Sequence, residues 1–132
     1  DVKYVALDEL LTASDFVSLH VPMSQETAKM INAASIAKMK TGAVLLNCAR
    51  GGVVDSQALA DALNCGKLAA AGIDVFEQEP PLKENHPLLH AKNIVVTPHV
   101  AFASKEALEA RAYIVFANID AFLAGKPQNV VK

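Results

Sequence analysis

Four side chains in this sequence have the chemistry to grip a small anion or move a proton, and their neighbours say where each must stand. Arg50 lies between the apolar run 43–48 and the pair Gly51-Gly52. A guanidinium there offers a planar fork of donors where the backbone can come close to a carboxylate or a phosphate. Closing a helix or pairing with a surface acid is the alternative that spacing leaves open. His99 follows Pro98 at the end of another apolar run, and an imidazole gives or takes a proton near neutral pH. Glu79 precedes it by 20 residues. A carboxylate beside an imidazole raises its pKa and sets its tautomer, as a general acid for carbonyl reduction requires. Asp74 is embedded in Ala71-Gly72-Ile73-Asp74-Val75-Phe76, where burial without a partner is costly. It meets either a bound amide or hydroxyl, or donors of the protein itself.

Other polar groups carry less. His86 and His90 stand four apart, but Pro87 between them breaks the helix that would align them on a metal, and no third ligand is evident. Cys48 reads as packing and Cys65, beside Gly66, as a helix end; neither has the histidine neighbour of a nucleophile. No G-x-G-x-x-G occurs, because Gly51-Gly52 lacks a third glycine at the required step.

The elements that must position these residues follow from hydrophobic periodicity. Apolar, β-branched runs at 16–21, 43–48, 69–76 and 94–97 have the length of buried strands. Between them, Met30, Ile31, Ile36 and Met39 predict a helix over 28–39, and Ala58, Leu59, Ala62 and Leu63 one over 57–63. Leu7, Leu10 and Leu11 share a helical face before the first run, and 2–6 alternates like a short edge strand. A long helix spans 104–123, with Ser104 as N-cap and Gly125 then Pro127 as the stop. Strand-helix alternation predicts an α/β fold with a parallel sheet, and runs apolar almost throughout predict strands covered on both faces. In such a sheet ligands bind outside the carboxyl ends of the strands. His20-Val21-Pro22, Arg50-Gly51-Gly52, Asp74 with Glu77 and Glu79, and Pro98-His99 then converge on one rim.

Composition narrows the partners. The 132 residues are 52% hydrophobic and 20% charged with a formal charge of -2, enough for one core and without the positive potential that nucleic acid or an anionic membrane needs. No apolar run approaches the roughly 20 residues of a membrane span, and the two cysteines suit reduced thiols in the cytoplasm better than a disulfide framework. Opening on Asp1 without a preceding element, the chain reads as a piece of something longer.

Five segments carry a resemblance. Residues 14–22 (SDFVSLHVP), 39–43 (MKTGA), 47–55 (NCARGGVVD), 72–80 (GIDVFEQEP) and 97–99 (TPH) resemble, in order and spacing, the D-isomer-specific 2-hydroxyacid dehydrogenases. The likeness covers nearly the whole chain. It implies an incomplete doubly wound, Rossmann-like parallel sheet with a long C-terminal helix. Residues 1–132 would be the nicotinamide-proximal part of an NAD-binding domain, with an interdomain helix at about 103–125 and the substrate domain and glycine-rich loop outside the chain. It further implies NAD as cofactor, a small 2-oxo or 2-hydroxy acid as substrate, and a homodimer. Arg50 would bind the substrate carboxylate, His99 would be the acid/base, and Glu79, just before Pro80, would support it in preference to Glu77. Asp74 would lie by the nicotinamide carboxamide, with Val21, Cys48, Ala49, Arg50 and His99 also lining the cofactor. Because His99-Val100-Ala101-Phe102 lacks a glycine two residues after the histidine, the pattern looks more like the D-lactate and D-2-hydroxyisocaproate dehydrogenases than the phosphoglycerate type. The NAD-sensing transcriptional corepressors of the C-terminal-binding type share the arginine, glutamate and histidine, so a non-enzymatic binding protein or a dimerisation module is the competing reading.

Overall fold

The computed structural model describes residues 2–78 and 81–131. Its chain divides into two units, one ending at His99 and one beginning at Val100. The first is built as α1 (Leu7–Ala13), β1 (Phe16–Leu19), α2 (Ala33–Lys38), β2 (Ala43–Asn47), α3 (Ser56–Asn64), β3 (Leu68–Ile73) and β4 (Ile94–Val96). The four strands form one sheet in the order β1-β2-β3-β4, parallel throughout. Every carboxyl end therefore faces the same edge, as the strand-helix alternation predicts.

Both helical crossovers pack together, α2 on α3, and α1 on α2. They cover one face of the sheet. Val17, Leu19, Ala43, Leu45, Ala71 and Ile73 point into that side and are buried, against Ile31, Ile36, Leu59 and Leu63. Ala43 pairs with Leu68 but Val44 pairs with Ala70, so Ala69 is an extra residue that lets Leu68 and Ala71 both turn inward. The opposite face is open, with Phe16 72%, Leu46 37% and Val95 68% exposed. In this chain one face is covered and the other is not: burial alternates strictly along β1, with Val17 and Leu19 inside and Phe16 and Ser18 outside.

Several boundaries differ from the periodicity. Helix α2 begins only at Ala33, because Ile31 makes a bridge with Val54 and Asn32 starts the helix afresh. The Asn32 side chain accepts from the backbone of Ala34 and Ser35, while the Ser35 hydroxyl accepts from Asn32 N–H, a reciprocal cap. Residues 2–6 form no strand; Ala6 leads directly into α1. Strand β1 ends at Leu19 rather than Val21, ahead of Pro22, which has no donor for a ladder.

In the second unit, α4 (Lys105–Leu123) starts where the sequence predicts, with the Ser104 hydroxyl accepting from Ala107 N–H at 3.1 Å. It stops as Gly125 enters the left-handed region at φ 72°. Every residue of α4 is exposed except the half-buried Asn118 and Ala121.

Candidate functional site

The rim is shaped by hydrogen bonds between consecutive strand ends. Asn47, the last residue of β2 and only 1% exposed, accepts from Ala49 N–H at 3.0 Å and donates from its amide to the Arg50 carbonyl at 3.1 Å. This side chain folds the chain back after β2 and sets where Arg50 leaves the sheet. Arg50 is exposed, and its Nη1 donates to the Ala49 carbonyl at 2.7 Å. Gly51 follows for a reason other than room for an anion. A Cβ on it would sit 1.9 Å from the Phe76 carbonyl carbon, so the close approach is to the protein's own chain leaving β3.

Asp74, directly after β3, is 4% exposed and accepts from the Thr97 hydroxyl at 2.5 Å. Its N–H bonds the Asn47 carbonyl at 3.0 Å, and its own carbonyl accepts from His99 N–H at 2.8 Å. His99 is half-buried with φ 59°, a left-handed conformation uncommon outside glycine. The ends of β2, β3 and β4 are thus laced together, and Arg50, Asp74 and His99 emerge side by side from neighbouring strands. Val21 is half-buried beyond β1, and Ala49 is buried. Cys48 is exposed rather than packed, correcting the expectation for it, because it follows Asn47 on the alternate face; it and Cys65 are free thiols. Glu79 lies outside the described residues.

Glu77 has its own constellation. It accepts a short hydrogen bond from the Ser56 hydroxyl at the head of α3 and one from His86 Nε2 at 3.3 Å. His86 Nδ1 accepts from Leu88 N–H at 3.3 Å, so the ring proton sits on Nε2 and points at Glu77. Partial burial pushes the Glu77 carboxyl upward, but the Ser56 hydroxyl, its own backbone N–H and His86 outweigh it and hold the pKa below the ordinary value. Glu77 is thereby committed to fastening the loop after β3 onto α3. Asn47, Thr97 and Ser56 were not among the residues the sequence singles out for the site. An asparagine between a strand and a glycine turn is a readable signal for Asn47; the Ser56–Glu77 pairing, 21 residues apart, has none.

His90 Nε2 donates to the Glu84 carbonyl at 2.6 Å, so His86 and His90 are each engaged with the protein. Among the described residues no three His, Cys, Asp or Glu side chains are grouped to hold a metal ion, and no helix is long and apolar enough to cross a membrane.

Residues 1–101 match the family model for the D-isomer specific 2-hydroxyacid dehydrogenase NAD binding domain. The chain belongs to the D-isomer-specific 2-hydroxyacid dehydrogenases. It is 49% identical over 129 residues to a hydroxypyruvate reductase of Blautia hydrogenotrophica, spanning 98% of this chain and 40% of that protein. It is 51% identical over 130 residues to a glycerate dehydrogenase of Methylorubrum extorquens, spanning 97% and 41%. Among solved structures, a D-lactate dehydrogenase from Treponema pallidum superposes with a TM-score of 0.87 at 38% identity, covering 98% of this chain and 43% of that one. One from Aquifex aeolicus, complexed with NAD and lactic acid, gives 0.82 at 38% identity, covering 94% and 41%. The chain thus spans about two fifths of the length of these relatives. NAD is the cofactor of this dehydrogenase domain, and the chemistry of the strand ends suits such a group: a buried carboxylate, Asp74, follows β3, with an arginine after β2 and a histidine after β4.

Proposed function

We propose that this chain carries the hydride-transfer side of an NAD-dependent D-2-hydroxyacid dehydrogenase that reduces short 2-oxo acids. The lacing of the β2, β3 and β4 ends, which brings Arg50, Asp74 and His99 out on one rim, is the observation that carries the reading. Relatives near 50% identity are named for hydroxypyruvate, glycerate and glyoxylate, which supports a two- or three-carbon oxo acid. The D-lactate dehydrogenases among the structural neighbours add pyruvate to the panel.

In the proposed reaction the 2-oxo acid gains a hydride at its carbonyl carbon and a proton at its oxygen, giving the 2-hydroxy acid. The reduced nicotinamide, when bound, supplies the hydride. Arg50 holds the substrate carboxylate by a two-pronged charge-assisted contact and draws electron density toward the carbonyl oxygen. His99 donates the proton to that oxygen as the alkoxide develops, and Glu79 supports the imidazolium. Asp74 accepts from the nicotinamide carboxamide, while Val21, Cys48 and Ala49 give the cofactor its backbone surroundings. The same reading makes α4 the interdomain helix, and its exposed apolar side chains support a homodimer, checked by sedimentation over a concentration range.

The test is NADH oxidation against glyoxylate, hydroxypyruvate, pyruvate and 2-oxoisocaproate. Turnover of one or more, reduced about 10²-fold or further by His99→Ala, is expected. Arg50→Gln raises KM for the oxo acid far more than KM for NADH. An active protein whose rate is untouched by His99→Ala has its acid elsewhere, and the reading fails.

A further inference from the structure

Thr97 lies between β4 and the Pro98-His99 turn and makes contacts in two directions. Its N–H bonds the Ile73 carbonyl at 3.0 Å, completing the β3–β4 ladder, and its hydroxyl reaches across to Asp74 Oδ1 at 2.5 Å. A hydroxyl donating to one carboxylate oxygen in this way orients the carboxylate. Two residues on, His99 N–H closes onto the Asp74 carbonyl at 2.8 Å. The carboxylate of Asp74 and the backbone of His99 are thus tied to one another through a three-residue segment. A threonine suits that task better than a serine, because branching at Cβ limits χ1 and aims the hydroxyl.

We propose that Thr97 is a positioning residue for nicotinamide recognition: its hydroxyl aims the Asp74 carboxylate so that it takes the amide N–H of the carboxamide. The inference rests on the reading that places Asp74 beside that group. An ionised carboxylate only accepts hydrogen bonds, so an Asp74 held in the right rotamer prefers a primary amide to a ketone of the same shape. Without the Thr97 hydroxyl, the buried carboxylate loses a donor that aims it and the discrimination falls.

The experiment is isothermal titration calorimetry of the protein with NADH and with its 3-acetylpyridine analogue, which replaces the amide NH₂ by a methyl group, in the absence of substrate. The readout is the ratio of the two Kd values. Wild type favours NADH. Thr97→Val, which keeps the shape and removes the hydroxyl, lowers that preference about tenfold, the loss expected of a hydrogen bond to a charged group. Thr97→Ser, which restores the donor, returns it to within about threefold. In steady state Thr97→Val raises KM for NADH more than it lowers kcat. Because each ratio is taken within one protein, a smaller folded fraction cancels, and Thr97→Ala carries the test if the valine variant does not fold. Asp74→Ala removes the acceptor altogether and so separates the role of Asp74 from that of Thr97. If it abolishes the preference while Thr97→Val leaves it unchanged, the role of Thr97 is overturned. A preference that survives Asp74→Ala overturns the placement of Asp74 itself, and the inference with it.

Discussion

Both faces of the sheet carry large apolar side chains and are treated oppositely by the fold. On the helical side Leu45 is fully buried; its chain neighbour Leu46, turned to the other side, is 37% exposed, and Phe16 and Val95 beside it are more exposed still. Hydrophobicity therefore does not say which face is covered. What decides it is the winding of the chain: β1, β2 and β3 follow one another in space, and the helices between them pack on one another on a single side. The rim where the two faces meet is the part stiffened by polar contacts, from Asn47, Thr97 and the Ser56–Glu77–His86 cluster.

That contrast can be broken most directly with paired substitutions. Leu45→Ala should destabilise the protein by about 2–5 kcal/mol, and Leu46→Ala by less than about 1, in denaturant unfolding. Equal losses would mean that the open face is buried in solution. At the rim, Gly51→Ala forces a Cβ against the Phe76–Glu77 peptide, which cannot yield as a flexible side chain would. A loss of about 1–3 kcal/mol is expected, accompanied by a fall in turnover, and an unchanged melting temperature would deny the close packing. The smallest effect is at Glu77. Its pKa is depressed in the folded state, so its contribution is present above the ordinary carboxylate pKa and is lost as the pH falls from there through the lower folded-state pKa. Glu77→Gln should therefore be less stable than wild type at neutral pH and converge with it once the pH has fallen below the depressed folded-state pKa, as followed by unfolding at a series of pH values. A constant gap between the two curves would assign the carboxylate no role in acid stability.

Much of the site was legible because strand ends are punctuated. Pro22, Gly51-Gly52 and Pro98 mark where β1, β2 and β4 must stop, so His20, Arg50 and His99 could be placed on one edge before any coordinates. The bounds of α4 were equally plain, since Ser104 and Gly125 act locally. The start of α2 was not, because the apolar spacing of Met30 and Ile31 continues the helical pattern while Asn32 and the Ile31–Val54 bridge interrupt it. The exposure of Cys48 is illegible for a related reason: its burial depends on which face is covered.

What the sequence alone determined is local in origin: the strand and helix alternation, the family motifs, and Arg50, Asp74, Glu79 and His99 as the candidate residues. Tertiary structure decided which face of the sheet is buried, that Gly51 makes room for Phe76, and that Thr97 holds Asp74 while Ser56 and His86 hold Glu77. Those pairings join residues 9 to 25 positions apart. No propensity or period encodes such contacts; they exist only once the parallel strands have brought their ends together.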